Sequence, residues 1–98
     1  PIRAAFARMG ELKAEVSRID AAIEQATAER TRIYEEQERI RANLEAVPEG
    51  SDLQRRYLAT LAAQEDRLAA LEGEMVRLTG ERAAAEETLR AYVMSIDL

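Results

Sequence analysis

Residues 47–54 of the chain read VPEGSDLQ, and this stretch decides the fold. Pro48 and Gly50 are typical of a turn, and the proline also disfavours helical backbone at the residue before it. Ser51 and Gln54 match a capping box, in which the Ser51 hydroxyl accepts the Gln54 amide proton and the Gln54 side chain accepts the Ser51 amide proton. The stretch therefore predicts that one helix ends, that residues 48–52 form a turn, and that a second helix begins.

Two long helices are predicted to flank this turn, over residues 1–47 and 53–98. Both segments are mostly Ala, Leu, Glu, Arg and Gln, which favour helix, and β-branched residues never alternate as they do in strands. Apolar residues recur at steps of three and four, which is the heptad pattern of a left-handed coiled coil. The predicted seam positions are Ile2, Ala5, Met9, Leu12, Val16, Ile19, Ile23, Ala26, Arg30, Ile33, Gln37, Ile40, Leu44 and Val47 in the first helix, and Gln54, Tyr57, Leu61, Gln64, Leu68, Leu71, Met75, Leu78, Arg82, Ala85, Leu89, Tyr92 and Ile96 in the second.

The expected fold is all-α, an antiparallel two-helix coiled-coil hairpin, either alone or paired with a second hairpin in a four-helix bundle. A short turn fixes the register and places Gln37 opposite Gln64, so that both glutamines lie in one layer of the seam. We expect their amides to hydrogen-bond across the seam and to penalise slipped registers. The alternative is a polar socket for a partner. The same register brings Lys13 near Glu86, Arg41 near Glu65, and Arg67 between Glu36 and Glu29.

Composition argues against several classes of function. The chain has 14 basic and 19 acidic side chains, a net charge of −5, which disfavours nonspecific binding to nucleic acid or to acidic membranes. Cysteine and histidine are absent, so disulfides, thiolate chemistry and histidine acid–base catalysis are excluded. Adjacent acids such as Glu35 and Glu36 point about 100° apart on a helix, and no phosphate-binding or nucleophile motif occurs. We expect no catalytic residue, no cofactor and no bound metal.

Two arginines occupy seam positions, Arg30 and Arg82. Their aliphatic stems can pack in the seam while the guanidinium groups reach outward towards acids such as Glu74 or Asp20. The alternative is that they mark places where the seam opens to another chain.

The turn end carries a cluster of arginines with a tyrosine, namely Arg41, Arg55, Arg56 and Tyr57. Acidic side chains are interleaved there, so a solvated or ion-paired surface is the first interpretation. If this end binds a partner, the acids favour a protein over the phosphate backbone of a nucleic acid.

The opposite end concentrates large apolar side chains, namely Ile2, Phe6, Met9, Leu89, Tyr92, Val93, Met94, Ile96 and Leu98. Two helices cannot cover all of them, so we expect this end to pack on a neighbouring domain or to self-associate. Alanines also line outward positions of both helices. Helix propensity explains them, and close packing of two hairpins is the alternative.

The segments RIYEEQERIRANL (32–44), LQRRYL (53–58) and LAAQEDRL (61–68) resemble the C-terminal helical hairpin of a family of uncharacterised bacterial proteins labelled mucoidy-inhibitor-like. The resemblance covers about residues 30–98. It implies β-rich envelope proteins that combine an unassigned domain with a coiled coil, and it names no activity, substrate or catalytic residue.

The sequence thus favours a non-enzymatic hairpin that serves as a structural arm, or as a protein-interaction and oligomerisation module, of a larger bacterial protein. The expected partners are the parent protein, another protein or a second copy of the chain, with no nucleic acid and no membrane insertion. The alternative functions are docking of RNA at the turn end and membrane remodelling. A cell-envelope location follows from the resemblance alone.

Overall fold

The computed structural model describes residues 1–96 and contains two long helices. Helix α1 spans Ile2–Leu44 with 43 residues, and helix α2 spans Asp52–Ser95 with 44 residues. No strand occurs among residues 1–96, and the two helices contact each other. The predicted all-α helical hairpin is therefore confirmed.

Helix α1 ends three residues earlier than the sequence predicted, at Leu44 rather than at residue 47. The Ala46 amide donates to the Asn43 carbonyl at 3.0 Å, so the last turn tightens from the α-helical pattern before the chain leaves the helix. Pro48 has no amide proton and restricts the residue before it, which prevents the helix from continuing. The joining segment is consequently longer than the predicted turn, while α2 begins at Asp52, one residue before its predicted start.

The start of α2 contains only one half of the predicted capping box. The Ser51 hydroxyl accepts the Gln54 amide proton at 3.1 Å, as predicted. The Gln54 side chain, however, accepts the amide proton of Gly50 at 2.7 Å, and not that of Ser51. Gly50 has a φ of 77°, a conformation that glycine adopts without steric cost. The chain reverses direction there, and the Gly50 amide proton meets the side-chain oxygen of Gln54.

The chain divides into two compact units. The first, called here the terminal unit, combines Pro1–Gln25 with Met75–Leu98, and the second, the turn unit, is Ala26–Glu74. In each unit a segment of α1 runs antiparallel to a segment of α2. The buried residues of the terminal unit are Leu12, Ile19 and Leu78, and those of the turn unit are Ala26, Gln37, Ile40 and Leu71.

Every one of these buried residues occupies a predicted seam position, because a heptad repeat keeps the same helix face towards the neighbouring helix. The remaining seam positions are half-buried, with one exception among residues 1–96. Ile2 is 61% exposed, since it lies in the first turn of α1 at the end of the terminal unit. The heptad pattern thus predicted the interior of both units.

Candidate interaction surfaces

The polar layer of the turn unit differs from the prediction. Gln37 is only 1% exposed, which places it among the most buried side chains. Its Nε2 donates to Oε1 of Glu65 at 3.1 Å, and not to the Gln64 amide. The predicted hydrogen bond between the two glutamines is therefore wrong by one residue along α2. A carboxylate is a stronger acceptor than a neutral amide, so the bond to Glu65 is favoured where both are within reach.

The Gln64 side chain is left with a buried oxygen. Its Oε1 is inaccessible to solvent and has no hydrogen-bond partner among the described residues. An unpaired buried acceptor costs about 1–3 kcal/mol. The layer formed by Gln37 and Gln64 is therefore polar and buried as predicted, but only one of its two amides is satisfied across the seam.

Other contacts agree with the predicted register. In the turn unit, Asn43 donates to the Tyr57 hydroxyl at 3.5 Å, one residue from the predicted pair of Leu44 with Tyr57. In the terminal unit, Arg82 contacts Asp20, one residue from the predicted pair with Ile19. In each contact a side chain that flanks the seam, Asn43 or Asp20, meets a seam residue of the other helix.

An ion pair joins the two helices of the turn unit, where Arg67 donates to both carboxylate oxygens of Glu29 at 2.5 and 2.8 Å. These hydrogen bonds lower the pKa of the Glu29 carboxyl, desolvation opposes the shift, and the positive charges of Arg67 and Arg32 reinforce it. The same bonds raise the pKa of Arg67. The prediction that Arg67 lies near Glu29 is confirmed.

Arg41 does not form an ion pair with Glu65, near which the register places it. It is exposed and takes part in no ion pair among residues 1–96, while Glu65 accepts the Gln37 amide. The amide of Gln37, a seam residue, donates to the Glu65 carboxylate in place of an arginine.

The terminal unit contains a second pair between its helices. Arg82 donates through Nε to Asp20 and forms an ion pair with Glu86 at 2.6 Å. The hydrogen bond to Asp20 is the main cause that raises the pKa of Arg82. Arg82 therefore extends from the seam to nearby acids, as predicted. Arg30 makes no ion pair with any described residue, although it is half-buried.

The arginines of the turn end are partly engaged within the molecule. Arg56 pairs with Asp52 at 3.0 Å, and Arg55 donates to the Gly50 carbonyl at 2.7 Å. Tyr57 is half-buried. Of the predicted contact residues at this end, Arg41 is therefore the most available to a partner.

The terminal unit exposes large apolar side chains near the first and last described residues. We define the apolar end as the large apolar residues of this region with the highest exposed fractions, namely Met94 at 79%, Ile2 at 61%, Phe6 at 60% and Val93 at 43%. Met9, Tyr92 and Ile96 are half-buried beside them. An open depression of about 450 Å³ lies between Pro1, Ile2, Ala4, Ala5, Tyr92, Ser95 and Ile96. Leu98, which the sequence also assigns to this end, lies outside the described residues.

Some exposed apolar side chains were not predicted from the sequence. Tyr34 and Leu58 in the turn unit are 52% and 50% exposed, and Val76 in the terminal unit is 67% exposed. A search for apolar residues outside the seam positions would have found them. The outward alanines are likewise exposed, namely Ala7, Ala14, Ala21, Ala28, Ala42, Ala62, Ala63, Ala69, Ala70, Ala83 and Ala84.

Within residues 1–96, no group of three or more acidic side chains is placed to hold a metal ion. Neither helix in this part of the chain has a long enough apolar stretch to cross a membrane. No family model matches the chain, and neither a curated protein nor a solved structure matches it significantly.

Proposed function

We propose that the chain is a non-catalytic coiled-coil hairpin that acts as a protein-interaction module of a larger bacterial protein, with the apolar end as its contact surface. The observation that carries this proposal is the exposure of Ile2, Phe6 and Met94 at one end of the terminal unit. Exposed apolar side chains scattered singly are normal, whereas a cluster of large ones is typical of a contact surface.

The chemistry of the apolar end suits a protein surface. Phe6 and Met94 offer a rigid aromatic ring and a flexible thioether, and both are side-chain types enriched at interfaces. The depression beside Ile2 and Tyr92 can receive an apolar side chain of the partner. Covering such a surface contributes about 25 cal/mol for each Å² of apolar area removed from water.

The bacterial origin and the larger parent protein in this proposal rest on the resemblance of residues 32–44, 53–58 and 61–68 to the mucoidy-inhibitor-like hairpin. In that setting the hairpin is a structural arm, and the apolar end is the surface by which it docks on the parent or on another protein.

A site-specific cross-linking experiment tests this proposal. A photoreactive amino acid replaces Met94 in one variant and Val76 in another, and both are expressed in the source cell. Val76 is the matched control because it is an apolar residue of the same unit, 67% exposed, and is not part of the apolar end. We expect a discrete adduct from position 94 that is absent from position 76.

Two further variants make the result specific. Changing Phe6→Gln together with Ile2→Gln should abolish the adduct at position 94, because the apolar contact is lost, and circular dichroism should show unchanged helicity. Equal adducts from positions 94 and 76, or an adduct that survives both substitutions, would count against the proposal.

A further inference from the structure

The first observation concerns unpaired positive charge beside the apolar end. Arg3, Phe6 and Lys13 are all exposed, and neither cation forms an ion pair with any described residue. Their spacing of three and seven residues places them on one face of α1. Two acids of the same unit are engaged with other arginines, since Glu11 pairs with Arg8 and Glu86 pairs with Arg82. This face, called here the basic face, therefore combines an aromatic ring with two available cations.

The second observation is a face of opposite character in the turn unit. Leu58, Glu65 and Glu72 follow one another at steps of seven residues on α2, and all three are exposed. Tyr34 on α1, which is 52% exposed, occupies the same flanking heptad position, and such positions face each other in an antiparallel pair. This face, called here the acidic face, combines two apolar side chains with two carboxylates that form no ion pair with a described residue.

The Glu65 carboxylate is also held in place. One oxygen accepts the amide proton of Gln37, whose side chain is 1% exposed, at 3.1 Å. The second oxygen remains free for another donor. A carboxylate oriented by a buried group loses less conformational entropy when it binds a cation than a freely rotating one does.

The charge of the two units agrees with these assignments. The turn unit contains 11 acidic and 7 basic side chains, whereas the terminal unit contains 8 and 7. A cationic surface is thus attracted to the turn unit at long range before specific contacts form.

We infer that the basic face of one copy of the chain docks on the acidic face of a second copy. Phe6 of one copy then packs against Tyr34 of the other, and the two cations on either side of it, Arg3 and Lys13, pair with Glu65 and Glu72. The occupant is a second copy because the chain itself carries both complementary faces. This inference rests on the proposed interaction function and names its partner and its second surface.

The test uses charge reversal and sedimentation velocity on the purified chain. Wild type at tens of micromolar should sediment as a dimer or larger species, and association should weaken as salt is raised. One variant carries Arg3→Glu with Lys13→Glu, and another carries Glu65→Lys with Glu72→Lys. Each variant alone juxtaposes like charges, so we expect its association to weaken about tenfold or more.

A mixture of the two variants gives the sharpest result. In the mixture, the basic face of the first variant has become acidic and meets the acidic face of the second variant, which has become basic. The unchanged faces of the two variants also carry opposite charges, so the mixture should associate about as tightly as wild type. A control with Arg39→Glu and Glu35→Lys, two exposed side chains outside both faces, should behave as wild type. Because Glu65→Lys also removes the acceptor of Gln37, the single variant Glu72→Lys tests the acidic face with the polar layer intact.

Failure of this inference is distinct from failure of the proposed function. A wild-type chain that stays monomeric at hundreds of micromolar, or variants that do not regain association when mixed, would overturn the self-docking. A site-specific adduct to a different protein from position 94 would still support the interaction function.

Discussion

At the scale of single residues, the polar layer is the least satisfied part of the interior. Gln37 bonds to Glu65, whereas the Gln64 oxygen is buried without a partner. Replacing Gln64→Leu removes the unpaired acceptor and fills the seam with apolar atoms. We expect the free energy of unfolding to rise by about 1 kcal/mol, measured by urea titration with circular dichroism.

The matched control for that substitution is Gln54→Leu, a seam glutamine whose oxygen accepts the Gly50 amide proton. This change should lower the free energy of unfolding by about 1 kcal/mol, because the cap of α2 loses a partner. If Gln64→Leu destabilises the chain as much as Gln54→Leu does, the account of the layer is wrong.

The ion pair between Glu29 and Arg67 predicts a dependence on pH. The pKa of Glu29 is lowered in the folded chain, chiefly by its hydrogen bonds to Arg67, so the folded state binds the proton more weakly than the unfolded state does. The stabilisation is complete above the unfolded pKa of about 4.3 and is lost as pH falls through the folded value.

We therefore expect Glu29→Gln to lower the urea midpoint at pH 7 and to have no effect in acid below the folded pKa. Glu35→Gln is the control, because Glu35 is exposed and makes no ion pair with a described residue. A difference between wild type and Glu29→Gln that persists unchanged into acid would show that the ion pair is not its cause.

Single-residue predictions succeeded where a repeat carried them. Burial of Ile19, Leu71 and Leu78 follows from the heptad because each repeat turns the same face inward. The choice of Glu65 over Gln64 did not follow, since the two acceptors lie one residue apart and the heptad pattern does not show that Gln37 reaches the stronger one.

At the scale of the helices, replacing glycine with alanine has opposite expected effects inside a helix and in the turn. Gly73 and Gly80 lie inside α2, and an added Cβ at either position meets no atom within 4 Å. Changing both to Ala should raise the free energy of unfolding by about 1 to 2 kcal/mol in total, because alanine favours helix.

Gly50→Ala should have the opposite effect. Its φ of 77° lies in the left-handed region, where a Cβ costs about 1 kcal/mol or more, although space around it is open. Thermal melts of Gly50→Ala, Gly73→Ala and Gly80→Ala measure both signs. An equal gain in melting temperature at Gly50 and Gly73 would contradict the assigned backbone conformation of the turn.

The sequence located the start of α2 closely because Ser51 and Gln54 form a recognisable cap. The end of α1 was less predictable, since Pro48 sets only an upper limit and helices tighten or fray before it. The Gln54 bond to Gly50 depends on the left-handed conformation of that glycine, which the sequence allows but does not require.

At the scale of the whole molecule, we propose a helical protein that acts through contact with other proteins. The apolar end was predictable as a concentration of large apolar residues. The acidic face was not predicted, because Tyr34 and Leu58 are far apart in the sequence and lie outside the seam pattern. Only a search for apolar residues outside the seam positions indicates them. Both surfaces are defined by exposed side chains, so the solvent exposure of those side chains is the quantity to measure.

Oxidative footprinting of the three methionines tests the central claim directly. Met94 is 79% exposed, while Met75 is half-buried outside the apolar end and serves as the internal reference. In the dilute purified chain, Met94 should be oxidised fastest, and in the source cell its oxidation should slow several-fold relative to Met75 as a protein covers the apolar end. If Met94 is oxidised as fast in the cell as in the dilute chain, relative to Met75, the apolar end is not a contact surface and the proposed function is wrong.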